Sequence, residues 1–419
     1  MRHGKENIYR LPASDIPALG IYARQIQLEA EARGETLPPA VFLQMGEPSF
    51  RTPEHIRQAA VASIENEPMP YGPPAGWPWL RELIAAKIKR VNGYSIEPAN
   101  VAVTLGGTGG LQMALHATVG PGDEVLIPDP GWPHYMMQLA VCGATPIPYR
   151  LDVHNDWLPD VAHLEQLVTS RTRLLLINTP ANPSGAVFPS HLVHDLLEFA
   201  RRHDLYLISD ECYDEMIFEG QHISPGTMLT PQEFEDGRFI GIYSFSKTYS
   251  MTGWRVGYLV TGKPLLKTIT DVLNAGQTNL SLLSQRAGAA ALTGPQECVA
   301  AMREAYRHNR DLAIALLKEH WRYDYTPHGA FYVLIDIGRS AESLGQQADQ
   351  SAGSHDEIGD PYGTLSRQFM LDLLRAYNVV VAPGSSFGTI AEDYVRISLA
   401  ASAEEIERGV RAICRFADR

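Results

Sequence analysis

The chain has 419 residues, 45% hydrophobic and 20% charged, the balance of a globular protein with a sizeable core. Its 48 Asp and Glu outnumber 35 Lys and Arg, and the formal net charge of −13 speaks against general binding to nucleic acid or an anionic membrane, both of which need a basic surface. Four scattered cysteines without a CxxC pair argue against a disulfide framework or a zinc ribbon, no run approaches the ~20 apolar residues of a membrane span, and Met1–Leu19 lacks the apolar stretch of a secretory signal, so a cytoplasmic protein is expected.

The first forty residues read as an arm and a polar helix, QIQLEAEARGE, ending at Gly34. HIRQAAVASIEN (55–66) and LRELIAAKIKRVNG (80–93) have helical spacing, with Gly93 as a C-terminal stop. VAVTL (101–105), EVLIP (124–128), LLLIN (174–178), LYLIS (205–209) and VGYLV (256–260) are short and apolar, and helical stretches separate them. This pattern predicts buried parallel strands in an α/β sheet. From about residue 295 a long amphipathic helix, PQECVAAMREAYRHNRDLAIALLKEH, leads into FYVLIDI and then into a polar Gly/Ser-rich insertion over about 339–362. LLRAYNVVVAP, VRISLA and a helix from Ala403 close the chain. The expected organisation is an arm and part of a small domain (1–54), a large domain (55–295) and the rest of the small domain (296–419).

Four of the predicted strands run into loops with unusual residues, and in α/β sheets ligands gather at the carboxyl ends of strands. GGTGG (106–110) opens a helix whose N-terminus presents free N–H groups to an anion. It is not a dinucleotide-binding GxGxxG with a ribose-binding acid. TPANPSG (179–185) holds Asn182, DECYDE (210–215) holds Asp210 and Tyr213, and SFSKTYSMTGWRVGY (244–258), after a strand read from FIGIYSF, sets a lone Lys247 eight residues before Arg255. Singly, a tight turn, an Asx-turn and a helix cap account for these residues. His191 and His194 in HLVHD lack a third metal ligand, and a helix surface explains them. No metal site is expected.

Together, GGTGG, NPSG, DECY, the Lys247–Arg255 segment and the final RIS resemble, in order, the class I/II aminotransferases of pyridoxal phosphate (PLP) fold type I, across roughly residues 40–400. The resemblance implies an α/β large domain with a mostly parallel sheet, plus a smaller α/β domain built from both chain ends. It also implies a ping-pong transfer of an amino group from an L-amino acid to a 2-oxo acid through pyridoxamine phosphate. A PLP-dependent lyase, cyclase or oxidative deaminase of the same fold is the alternative.

By the same resemblance Lys247 forms the Schiff base with the PLP aldehyde, and Arg255, Ser244, Gly107 and Thr108 hold the phosphate. Asp210 pairs with the pyridine nitrogen, Asn182 and Tyr213 bond the phenolic oxygen, and Trp132 stacks on the ring. Arg396 grips the substrate α-carboxylate beside Gly46 of GEPSF, where the family commonly has GEPDF. Tyr71 of YGPPAG reaches the phosphate of a neighbouring subunit, which implies a homodimer with shared sites. These residue types suit the chemistry. An acid keeps the ring nitrogen protonated so that the ring accepts an electron pair, and only arginine offers a planar fork to a carboxylate.

Family members specific for aspartate add a second cation, either a lysine in the Gly-rich loop or an arginine after the TGWRVG strand. Here the first position is Thr108, and 271–285 contains neither Arg nor Lys. A neutral, aromatic or cationic donor is therefore expected to be better than aspartate, with Arg24 and Arg286 as the cations able to overturn that expectation.

Overall fold

The computed structural model describes residues 16, 18–320, 323, 325–338 and 364–417. The start of the arm and the predicted 339–362 insertion lie outside the described residues. Thirteen strands are described. In chain order they are β1 (Val41–Phe42), β2 (Val101–Thr104), β3 (Glu124–Asp129), β4 (Thr145–Asp152), β5 (Leu158–Pro159), β6 (Thr172–Asn178), β7 (Tyr206–Asp210), β8 (Phe239–Ser244), β9 (Gly257–Val260), β10 (Tyr332–Asp336), β11 (Val379–Val380), β12 (Ala382–Pro383) and β13 (Tyr394–Ser398). The helices that matter for the site are α1 (Ala18–Ala32), α2 (Gly106–Thr118), α3 (His134–Cys142), α4 (Glu297–His320) and α5 (Ala403–Ala417).

Eight strands form the main sheet in the order β2-β9-β8-β7-β6-β3-β4-β5. Every residue of β3 is buried, as are the aliphatic residues of β6 and β7. Their unbroken apolar runs are what a sheet covered on both faces demands. Strands β8, β7, β6, β3 and β4 pair in parallel. The expectation that VGYLV is also parallel is corrected, because β9 runs antiparallel to both β8 and β2. The link from Phe245 to Val256 that joins β8 to β9 is turn-rich and holds only a four-residue helix, whereas a parallel return usually crosses over through a full α-helix. The sequence reading also passed over β4, TPIPYRLD, whose two prolines mask its strand character.

The chain runs outward along β3 and β4 and then back through β6, β7 and β8, so β3 and β6 are neighbours at a topological switch point. Crevices for ligands form at such points. The second body is assembled from both ends of the chain. β1 pairs in parallel with β11, and β10, β13 and β12 form an antiparallel sheet with Leu334 and Ala382 opposite Arg396. Helices α4 and α5 pack on one another, and α5 packs on β1.

Candidate active site

One cavity of about 310 Å³ opens along the carboxyl edge of the main sheet. Its wall includes Gly46, Gly107, Thr108, Trp132, Asn182, Asp210, Tyr213, Ser244, Lys247, Arg255 and Arg396. The structure therefore brings together every site residue expected from the sequence except Tyr71, which lies on an exposed groove with Ile64, Met69 and the 277–283 segment.

Several strands of the main sheet each deliver one part of the wall. After β2, the chain turns directly into α2, and a side chain at Gly107 would put a Cβ 2.5 Å from Cys212 Sγ. Glycine is required there to let the helix start approach the β7 loop. After β8, Ser244 caps the four-residue helix Phe245–Thr248, accepting from the Ser246 N–H at 3.1 Å, and that helix carries Lys247. Arg255 donates to the carbonyls of Thr252 (2.9 Å) and Leu105 (3.2 Å), which ties the Lys247 segment to the start of α2.

Lys247 Nζ donates to the Gly46 carbonyl at 2.6 Å and has no carboxylate partner among its hydrogen bonds. Burial pushes its pKa down to about 8, helped by Arg396 and Arg255 and opposed by Cys212 and Glu47. A lysine that sheds its proton this readily is suited to nucleophilic work. At the end of β7, burial raises the Asp210 pKa, while two hydrogen bonds pull the other way. Tyr135 Oη donates to Oδ2 at 2.7 Å and the Cys212 N–H to Oδ1 at 3.2 Å. Tyr135 was not foreseen. It lies in the first turn of α3, three residues after Trp132, and it supplies the donor that a buried acid needs.

Arg396, on β13, is buried and its pKa is lowered by that burial. Nη1 donates to Asn182 Oδ1 at 2.9 Å and Nη2 to the Gln44 carbonyl, leaving Nε buried with no partner. Arg396 lines the cavity, and its guanidinium offers the planar fork that fits an incoming carboxylate. The guanidinium lies over Tyr332 (4.3 Å) and Phe387 (4.6 Å). The turn at Phe387 is in turn held to the main sheet, since Asp129 accepts from Thr389 Oγ1 (2.8 Å) and from the Thr389 and Ile390 N–H groups (3.2 Å each). This clamp joins the β3 loop bearing Trp132 to the sheet bearing Arg396. Among the described residues no group of three or more His, Cys, Asp or Glu is placed to hold a metal, and no helix is long and apolar enough to cross a membrane.

Comparison with known proteins gives this wall a family. Residues 39–413 match the model described as aminotransferase class I and II. The chain belongs to the class I and II aminotransferases. A probable aspartate/prephenate aminotransferase of Thermus aquaticus is 34% identical over 404 residues, 96% of each chain. The structure of the Thermus thermophilus aspartate aminotransferase with maleate is similar at a TM-score of 0.84 and 32% identity, covering 99% of this chain and 100% of that one. An aromatic aminotransferase of Pyrococcus horikoshii is similar at 0.81 and 32% identity, covering 90% and 96%. As a member of this family the chain is an enzyme that transfers amino groups, and its α/β architecture is that of the family's aspartate aminotransferases.

Proposed function

We propose that the cavity holds pyridoxal phosphate, with the residues divided as the family resemblance implies, and that the enzyme moves an amino group from an L-amino acid without an acidic side chain to a 2-oxo acid. The observation that carries the cofactor assignment is the buried Lys247 amine with its lowered pKa, set between an anion-ready helix start and a buried acid. When bound, the cofactor supplies an aldehyde and an electron-accepting ring. Gly107, Thr108, Ser244 and Arg255 hold its phosphate, Asp210 keeps the ring nitrogen protonated, Asn182 and Tyr213 take the phenolic oxygen, and Trp132 covers the ring face. The Arg396 guanidinium and the space beside Gly46 receive the donor's α-carboxylate. Lys247 Nζ then takes the proton from the donor Cα and passes it on. Residues 55–295 make up the large domain in this reading, two chains share each pair of sites through Tyr71, and the enzyme works in the cytoplasm.

The donor preference rests on the charges of the wall. Its described cations are Lys247, Arg255 and Arg396, and each already has a partner in the cofactor or the α-carboxylate. His134 also lines the cavity, but burial lowers its pKa, so it is neutral at neutral pH and offers no charge to a second carboxylate. Arg286 is committed elsewhere, with Nε and Nη2 donating to Glu67 Oε2 at 3.0 and 2.8 Å. Ile16, Met45 and Trp132 supply apolar surface, and Glu47 adds a negative charge. Relatives named for aspartate and for aromatic substrates bracket the alternatives, and the wall favours the second. The test is kcat/KM for a panel of amino donors with 2-oxoglutarate and pyruvate as acceptors. Neutral, aromatic or cationic donors should lead. Aspartate ahead of them by tenfold, about 1.4 kcal/mol of transition-state preference, would refute the proposed donor class.

A further inference from the structure

Tyr332 has no role in the reading above, yet it touches three parts of it. It is the first residue of β10, 1% exposed, and it lines the cavity. Its hydroxyl lies 2.6 Å from the Tyr213 hydroxyl, in a bond where either oxygen can be the donor. Its ring lies beneath the Arg396 guanidinium at 4.3 Å. The same hydroxyl also explains why residue 46 is glycine, since a Cβ there would come within 2.0 Å of it. The backbone that accepts from Lys247 has thus been shaped around this one phenol.

A proton count gives the bond its direction. A tyrosine has one hydroxyl proton. Once Tyr213 commits that proton to the cofactor's phenolic oxygen, its bond to Tyr332 survives only if Tyr332 donates. Burial raises the pKa of both hydroxyls and the Arg396 charge opposes the rise in both, so it is the proton count that sets the direction. A hydroxyl that accepts a hydrogen bond donates a stronger one, because chains of such bonds polarise each other.

We propose that Tyr332 is a positioning residue: its hydroxyl donates to Tyr213 and strengthens the Tyr213 bond to the cofactor's phenolic oxygen, while its ring supports Arg396. This rests on the cofactor reading given above. Tyr213 stabilises the deprotonated form of the lysine-bound cofactor by bonding its oxygen, so a weaker Tyr213 bond raises that form's pKa.

The experiment is a spectroscopic pH titration of the visible band of the cofactor-loaded protein, made on wild type, Tyr332→Phe, Tyr213→Phe and the double variant. Tyr332→Phe keeps the ring under Arg396 and removes only the hydroxyl. It should move the midpoint upward, with proton affinity raised by roughly threefold, the scale of a weakened rather than a lost hydrogen bond. Tyr213→Phe should move it further, and adding Tyr332→Phe to Tyr213→Phe should change nothing more. A Tyr332→Phe midpoint equal to wild type, or an equal shift in the Tyr213→Phe background, overturns the positioning role. A wild-type protein with no titrating band overturns the cofactor assignment itself, and the role of Tyr332 with it.

Discussion

At the cavity wall Lys247 is a base without a carboxylate partner, and that decides its chemistry. Its amine gives one hydrogen bond to a carbonyl, and two arginines help to lower its pKa to about 8. An ordinary lysine titrates near ~10.4. The folded, cofactor-free chain therefore releases the Lys247 proton at a lower pH than the unfolded chain does. Burying the charged amine opposes folding below about pH 8, and this opposition fades as pH rises toward the ordinary value. The same shift predicts how fast the cofactor-free protein takes up pyridoxal phosphate. The rate should climb with pH to a midpoint near 8, and Lys247→Ala should form no lysine-linked visible band at any pH. A midpoint near that of free lysine, or a band that borohydride still fixes to Lys247→Ala, would show that another amine does the work.

Secondary structure around DECYDE is unusually charged for a buried loop. Asp214 and Glu215 follow Tyr213 directly and share a buried partner in Lys87. Lys87 ends the helix Pro78–Lys87, and the next turn, Ile88–Asn92, is π-helical. That wider turn sets residues five apart on one side, so Lys87 Nζ donates to Asn92 Oδ1 (2.9 Å) while Asn92 Nδ2 donates to Asp214 (2.9 Å). Burial works against the Lys87 ammonium, but Asp214 and Glu215 outweigh it and hold its pKa above the ordinary value. Glu211 is anchored separately, accepting from Ser224 (2.8 Å) and Tyr243 (2.9 Å). Two polar networks thus brace the loop that presents Asp210 and Tyr213. Lys87→Met should destabilise the protein by about 3–5 kcal/mol, because it strands buried carboxylates, and Lys87→Met/Asp214→Leu should recover much of the loss. Denaturant unfolding measures both. A Lys87→Met variant as stable as wild type would mean that the pair contributes nothing.

These elements also mark how far the sequence alone reaches. β3, β6, β7 and β8 were legible because strands buried on both faces must be apolar throughout, and the chemistry-bearing loops follow them directly. Gly93 was legible as a helix stop, and it has the left-handed φ of 82° expected there. The direction of β9 was not, since apolarity is the same in either direction and only the connection decides. Tyr135 and Tyr332 were not legible either. Their bonds to Asp210 and Tyr213 span 75 and 119 residues, and no local pattern records such a meeting. The π-helical turn was hidden for a different reason, because KIKRVN has ordinary α-helical spacing.

For the molecule as a whole, the residue left over is Tyr71. It is 88% exposed, and beside it Ile64 is 62% exposed and Met69 and Val61 about half exposed. Water-facing apolar side chains clustered around one groove mark an interaction surface, and here the groove adjoins the 277–283 segment. The family resemblance implies that Tyr71 contacts a cofactor, and a lone chain has no use for such a residue on its outer face. A second copy related by a two-fold axis has one, because a contact made in one direction is then made in both. Light scattering at assay concentration should give twice the chain's 46.2 kDa. Ile64→Asp/Met69→Asp should split the dimer and lose activity together with cofactor retention. Tyr71→Phe should remain a dimer and lose cofactor affinity alone, by about tenfold or more if its hydroxyl bonds a charged phosphate. The separation of these two effects is the informative result. A monomer with full activity, or a Tyr71→Phe dimer that holds the cofactor as tightly as wild type, would remove the neighbouring subunit from the site.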